Sequence, residues 1–512
     1  MIGPGNLIFR GEESTNKEED DMLDIFQLLD DDHHYQLWII RFLDIMTDEY
    51  ITISKMVELT GQSRFRVINF IHALNYDISK FQKNCRIVMK DDILILENID
   101  LTIIKLLQID YFMKSQIFSL LLYLLEEGGT IEKFATDHFL SVSKAYAIRR
   151  QLFTILKSLG IGVKRNRLVG DEFSIRNTLS TLIFEAINGY YSPFLIENDI
   201  VMRKVKDLLT FFFNLRLSPT QVKKLEVLIS ISLIRCKNGK SIDHSFLLDA
   251  DKYFSIIKNE IYYIANDIFI DPKILVNEFS YVSMFLFTEG AFEEDEDKFN
   301  FSYFEALDGR SEKMAKSIIH KIENAYNTEF PPEIQDEYMF RIKQVNRKNE
   351  ISCFEISSFS TSNQTQSVRE LYPTYSEVVW SVIENEFVDK SKDSFTRHFY
   401  DYLFILVDVV PPSLLEQPIY ICVDFSQGSD YTSFITKQIQ GFRDLNFIIE
   451  PRVTSRTNIL ISNCVWDNFT RLQIVWKNPP TPSDWEYLGN AIIRTKRKLL
   501  YENIAFEKGE LK

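Results

Sequence analysis

Between Tyr35 and about Phe173 the chain writes the same plan twice, and that repetition limits the fold more than any other feature. In the first copy LWIIRFLDIM carries apolar residues at a helical period, as a helix with one buried face requires. ISKMVELTG follows as a short helix whose end is marked by Gly61. QSRFRVINFIHALNYDI supplies a third, with Phe65, Ile68, Ile71 and Leu74 at helical spacing. RIVMKDDILILEN then reads as two short β-runs turning at Asp91-Asp92. The second copy opens with SQIFSLLLYLLEE, an apolar helix stopped by Gly128-Gly129. Thr130 is placed to cap IEKFATDHF, and Ser141 or Ser143 to cap the helix after it. On that helix Ala145, Ile148, Leu152, Ile155 and Leu159 recur at steps of three and four and face a core. GIGVKRNRLVGDEFSI closes the copy as strand, basic turn and strand. The copies lie about 75 residues apart, and helix, helix, turn, helix and hairpin is the order of a winged helix-turn-helix.

The second copy is chemically distinctive. Ser141 to Gly170 carries Lys144, Arg149, Arg150, Lys157, Lys164, Arg165 and Arg167 without one Asp or Glu, in a chain of net charge −15. A helix that approaches base edges needs small or polar residues in its first turns and cations for phosphates, which Ser141, Ser143, Lys144, Ala147, Arg149 and Arg150 supply. Lys164, Arg165 and Arg167 sit at the tip of the hairpin, within reach of a backbone. The segment reads as a surface for a polyanion, against the blander reading of a solvated helix face. In the first copy Arg64 and Arg66 are the counterparts, beside an acidic KDDI turn, so that copy either contacts DNA or is structural. Gly11 to Asp32 holds ten acidic residues against Lys17 alone, a solvated lead-in or an internal competitor for the basic patch.

From Asn177 to about Val410 the pattern is helix, Phe- and Leu-rich with few Gly or Pro, dividing near Glu289–Asn300. IYICVDF, LNFIIE, NILISN and LQIVW then alternate with helical stretches, as in a small α/β domain with a mostly parallel sheet. The expected organisation is a multidomain, mostly α chain. It comprises an acidic flexible lead-in at 1–22, winged helix-turn-helix domains at 23–105 and 106–176, all-helical domains at 177–290 and 291–411, and the α/β domain at 412–507. Its 512 residues are too many for one core. The longest apolar run, Ile117–Leu125, is far short of the roughly 20 residues that span a bilayer, and no signal architecture opens the sequence. Five cysteines are scattered singly, as in a reduced, cytoplasmic, soluble protein. No metal or cofactor site, catalytic triad, Walker loop or carboxylate pair can be defended, so the chain reads as no enzyme. Ser426, Gln427 and Gly428 follow the first strand of the α/β domain, either as an anion-holding loop or as a plain βα turn. Cys422 lies in that strand and reads as packing.

The order of parts resembles the Mga/AtxA family of Gram-positive transcription regulators. LSVSKAYAIRRQLFTILKSLGIGV and LVGDEFSIR look like that family's second, Mga-type helix-turn-helix with its wing. LEVLISISLIRCKNGKSI is similar to its first regulatory domain, with Arg235, Gly239 and Ile242 in the family's spacing. IYICVDFSQG resembles its domain related to enzyme IIB of the sugar phosphotransferase system. The resemblance implies a cytoplasmic DNA-binding regulator of virulence, surface-protein or metabolic genes. It implies double-stranded promoter DNA and phosphotransferase-system proteins as partners, and self-association as a homodimer or higher oligomer. It also implies histidine phosphorylation in the two helical domains. The sequence departs from the pattern at two points. Lys223-Lys224 stands where a phosphorylated histidine is expected, and Ser426-Gln427-Gly428 where an enzyme IIB holds its cysteine. The candidate phosphorylation sites are therefore His244, His320 and His398, each also readable as an ordinary structural histidine. The alternative is a phosphotransferase-system antiterminator or signalling module acting on RNA or protein, whose RNA-binding domain would be all-β. A phosphocarrier enzyme is a third reading, set against by the missing loop cysteine.

Overall fold

The computed structural model describes residues 25–46, 50–190, 196–248, 250–267, 271, 274–292, 301–326, 328–351, 372–386, 392–411, 414, 417–441 and 446–507. The acidic lead-in at 1–22 and most of the Glu289–Asn300 loop lie outside them. The chain forms two compact units. One contains the described residues up to Asp308 and those from Gln344 to Ile351; the other contains Gly309–Lys343 and the described residues from 372 onward.

The first unit opens with a single 3-10 turn, Ile25–Leu28, and then delivers the duplicated plan. Helices α1 (Asp31–Ile45), α2 (Ile53–Thr60) and α3 (Arg64–Phe81) lead into β1 (Arg86–Lys90) and β2 (Ile93–Glu97), an antiparallel hairpin. Ile53 N donates to Asp92 O and Leu94 N to Ile51 O, both at 2.8 Å, so the segment before α2 pairs with the hairpin. α4 (Leu101–Lys114) precedes the second copy, which is α5 (Gln116–Leu125), α6 (Ile131–Asp137), α7 (Val142–Ser158), β3 (Gly162–Lys164) and β4 (Arg167–Val169). One continuous apolar core runs through both copies and into the helix that follows, α8 (Glu172–Ile187). α4 carries the chain through residues 105 and 106 and α8 through 176 and 177, so helices rather than linkers join these parts.

α5 buries Ile117, Phe118, Leu120, Leu121, Leu124 and Leu125 and leaves Gln116, Ser119, Leu122 and Tyr123 half-buried on its other face. The apolar run is thus a core helix with one less buried face, and no described helix is long and apolar enough to cross a membrane. Each such side chain contributes roughly 1.5–3 kcal/mol on burial. Ser115 makes the bend between α4 and α5. Its hydroxyl donates to Leu28 O at 2.6 Å and accepts from the backbone N–H groups of Ile117 and Phe118. α9 (Ile196–Phe212), α10 (Pro219–Lys237), α11 (Ala250–Asp267) and α12 (Leu275–Thr288) surround a second, Phe-rich core that Phe301, Phe304 and Ile351 join.

α13 (Glu305–Tyr326), α14 (Pro332–Ile351), α15 (Pro373–Glu386) and α16 (Lys392–Val409) continue the helical pattern. In the second unit the α/β part follows. Strands β5 (Ile419–Asp424), β6 (Phe447–Glu450), β7 (Ile459–Ser462) and β8 (Leu472–Val475) form one parallel sheet in the order β6-β5-β7-β8. α17 (Ser429–Ile439) and α18 (Pro482–Glu507) are its helices. All four residues of β7 are buried, as a central parallel strand requires.

Candidate nucleic-acid interface

The interface expected from the sequence is α7, from its cap at Ser141, and the β3–β4 hairpin. Ser141 caps α7: its Oγ accepts from Lys144 N at 3.2 Å. Ala145, Ile148, Leu152 and Ile155 are buried as their spacing requires, Leu156 joins them, and Leu159 is half-buried. The opposite face exposes Ser143, Lys144, Ala147, Arg150 and Gln151. The hairpin turns at Arg165 (φ +52°) and Asn166 (φ +60°), two left-handed residues in the geometry that matches the twist of two short strands. Asn166 Nδ2 donates to Gly129 O at 3.3 Å, which ties the wing tip to the turn before α6.

The seven cations of this stretch are not equivalent. Arg167 pairs with Glu127 at 2.9 Å, so an acid from outside the stretch neutralises it. The Arg149 guanidinium lies over the Phe153 ring, 4.2 Å from its centroid, and its buried Nε has no hydrogen-bond partner among the described residues. Lys144 is close enough to Asp30 to pull that carboxyl's pKa down, although burial raises it overall. Arg150, Lys157, Lys164 and Arg165 are exposed and meet no described carboxylate. The expectation of seven uncompensated charges is thus corrected to a smaller set. The cause is tertiary, because the neutralising acid comes from another turn.

The first copy differs in kind. Arg64 pairs with Asp92 at 2.6 Å, and Asp92 also accepts from Ser54 Oγ. The hydrogen bond from Arg64, with that from Ser54, holds the Asp92 carboxyl below its usual range. Arg66 pairs with Asp32 at 2.9 Å, donates to Gln62 Oε1 at 2.8 Å and lies over Phe70. The acidic turn that looked like an obstacle to DNA is the partner of its own helix. Phe65, expected on the apolar face of α3, is 75% exposed; Val67, Phe70, Ile71, Leu74 and Ile78 form the buried face instead.

Behind the interface lies a buried ion network that sequence reading missed. Arg176 of α8 is fully buried; it donates to Glu172 at 2.9 Å, to both carboxylate oxygens of Glu278 and to Lys240 O at 3.1 Å. Arg235 of α10, also buried, holds Glu172 through two hydrogen bonds of 2.9 and 2.7 Å and approaches Leu168 O of the wing at 3.4 Å. Burial would raise the Glu172 pKa, but the hydrogen bonds and charges of Arg235 and Arg176 outweigh it and hold the pKa low. Arg235 is marked in the sequence by the family's spacing, and Arg176 and Glu278 only by their charge on apolar helices.

The three histidines are separately placed. His244 hydrogen-bonds Asp243 and meets the Phe246 ring edge-on at 4.6 Å. His320 Nε2 is 3.0 Å from Asn324 Nδ2, one turn along α13. His398 on α16 meets Tyr402 edge-on at 6.0 Å. Lys224 pairs with Glu289 at 3.1 Å, and Lys348 shares that carboxylate at 3.2 Å. In the α/β part Gly428 (φ +102°, ψ −176°) occupies backbone space that only glycine enters freely. Ser426 N donates to Asn463 Oδ1 at 2.9 Å and Ser426 Oγ accepts from Asn463 Nδ2 at 2.7 Å, so the loops after β5 and β7 bond to each other. Cys422 is buried in β5 and its thiol pKa is pushed up to about 11, chiefly by burial. Among the described residues no cluster of His, Cys, Asp and Glu is arranged to hold a metal.

Residues 102–182, from α4 into α8, match the family model described as the Mga helix-turn-helix domain. No curated protein matches the chain. The similarity is to that segment, and it points to DNA binding and transcription regulation.

Proposed function

We propose that this chain is a transcription regulator, an activator of the Mga/AtxA type, that binds promoter DNA through its second winged helix. The observation that carries this reading is the coincidence of the matched segment with exposed cations on α7 and the wing. Arg150, Lys157, Lys164 and Arg165 capture phosphates; Ser143, Ala147 and Gln151 face the groove; Lys144 and Arg149 flank them. Ser141 acts through the cap it makes rather than as a contact, and Arg167 braces the wing through Glu127. The first winged helix, with Arg64 and Arg66 neutralised, positions its neighbour. Contacts directed mainly at phosphates discriminate sequence weakly, so DNA shape and bendability add to selection. Self-association as a dimer strengthens binding, and phosphotransferase-system proteins act on the helical domains through His244, His320 or His398. The antiterminator alternative calls for an all-β RNA-binding domain, whereas the described residues between Ile25 and Ile187 are helical with two hairpins.

The test is fluorescence anisotropy with an AT-rich duplex over a salt series, comparing wild type with Arg150→Ala/Lys164→Ala/Arg165→Ala. The expected result is a weaker complex whose salt slope flattens by about three units. Absence of duplex binding by wild type at low salt, or an unchanged slope in the variant, would overturn the proposal.

A further inference from the structure

Phe139 stands where the fold needs no side chain. Both copies turn between their second and third helices through a left-handed residue two places before the next cap. In the first, Gly61 and Gln62 lead to the N-cap Ser63; in the second, Phe139 and Leu140 lead to the N-cap Ser141. Two residues before each cap the backbone is left-handed, with φ +63° at Gly61 and +56° at Phe139. Glycine meets that requirement without strain, whereas a bulky L-residue is unfavourable there. The bonds that make the turn are backbone ones, Phe139 N to Thr136 O at 3.2 Å and Leu140 N to Ala135 O at 2.7 Å, and need no ring. Leu140, not Phe139, supplies the apolar contact against the core that seals such a helix end. The Phe139 ring is 97% exposed. A strained backbone carrying an exposed ring, at a position that the other copy fills with glycine, is a local conflict the folded chain does not resolve by itself.

The surroundings say what resolves it. Val142, the first residue of α7, is 48% exposed, and Tyr146 one turn on is 40% exposed with its hydroxyl committed to Glu132 at 2.6 Å. Ser143, Lys144 and Arg150 follow on the same helix. An apolar edge followed along α7 by cations fits a polyanion that has an apolar group of its own. In the major groove of duplex DNA that group is the 5-methyl of thymine. Resting on the DNA-binding reading above, we propose that Phe139 packs against thymine methyl groups at the edge of the groove. It supplies the direct discrimination that phosphate-directed cations cannot.

The test compares wild type with Phe139→Gly on one AT-rich duplex and on the same duplex with uracil for thymine, which removes the methyls and keeps the pairing. Glycine relieves the strained turn, so the thermal midpoint should hold or rise while affinity for the thymine duplex falls. One methyl returned to water shifts an equilibrium by roughly fourfold. Uracil should therefore weaken wild type about fourfold per methyl contacted and leave Phe139→Gly unchanged. Equal binding of the thymine duplex by both proteins overturns the inference, as does equal weakening of both by uracil. So does a change in oligomeric state, read by sedimentation, with DNA affinity intact, since the ring would then join copies of the chain. If wild type binds no duplex, the underlying reading fails as well. If Lys164→Ala/Arg165→Ala weakens binding and Phe139→Gly does not, the inference alone fails.

Discussion

At the scale of single residues, a cation's role follows from what it already touches. Arg150 meets no described carboxylate, whereas Arg64 is held by Asp92 at 2.6 Å. Arg150→Ala is therefore expected to flatten the salt slope of duplex binding by about one unit and Arg64→Ala by much less. Equal effects in the anisotropy series would show that both winged helices meet the duplex. His33 offers a second test, of stability. Its ring stacks on Tyr111 with centroids 4.2 Å apart, and its buried Nδ1 has no hydrogen-bond partner among the described residues. Burial lowers its pKa below the ordinary 6.5, and the opposing charges of Asp30 and Asp77 do not restore it. The unfolded chain thus takes up the proton first, so stability is present above pH 6.5 and declines as pH falls below that value. Hydrogen exchange should show α1 and α4 losing protection between about pH 7 and 5.5, after correction for intrinsic rates, and His33→Phe should abolish that loss. The same decline in the variant would assign the pH dependence to another group.

Among the elements, α8 departs most from its sequence reading: Glu172–Ile175, expected to end the second wing strand, begin a helix instead, because Asp171 caps it. The Asp171 carboxylate accepts from Ser174 N at 2.8 Å, and most of the helix is buried, polar residues included. Arg176 and Glu278 join it to α12, and Glu172 and Arg235 join it to α10. Removing one partner of a buried pair strands the other, so Glu278→Gln should destabilise the first unit by about 3–5 kcal/mol in urea unfolding. The double change Arg176→Met/Glu278→Leu should recover most of that loss, because two apolar side chains leave no stranded charge. Losses that simply add would mean the two residues are not coupled. The same network reaches Leu168 O, so the base of the wing is held by α10 as well as by its own hairpin.

For the whole molecule, net charge and local charge point in opposite directions. A chain at −15 is repelled by DNA at long range, and binding depends on a short-range patch. With about four cations engaged, the logarithm of affinity should fall with the logarithm of salt at a slope near −4 per chain, and near −8 if two chains bind one duplex. Sedimentation of the complex alongside the salt series separates these cases. A slope shallower than about −2 would mean that the α7 and wing cations do not reach phosphates.

Most of the element order is written in the sequence. The periodicity of α7, the cap at Thr130, the two hairpins and the four strands of the α/β part follow from short-range spacing, because helices and turns are selected by neighbours within a few residues; the structure chose Ser141 over Ser143 as the cap of α7. The sequence also located the basic face. Tertiary structure alone decided which cations remain uncompensated, since Glu127, Asp92 and Asp32 reach their arginines through turns and chain reversals that no local window contains. It alone turned Phe65 outward and buried Arg176 and Arg235, because burial depends on which other element covers a face. The strain at Phe139 stands between the two levels: its identity is written in the sequence, and its left-handed backbone appears only when the turn is built.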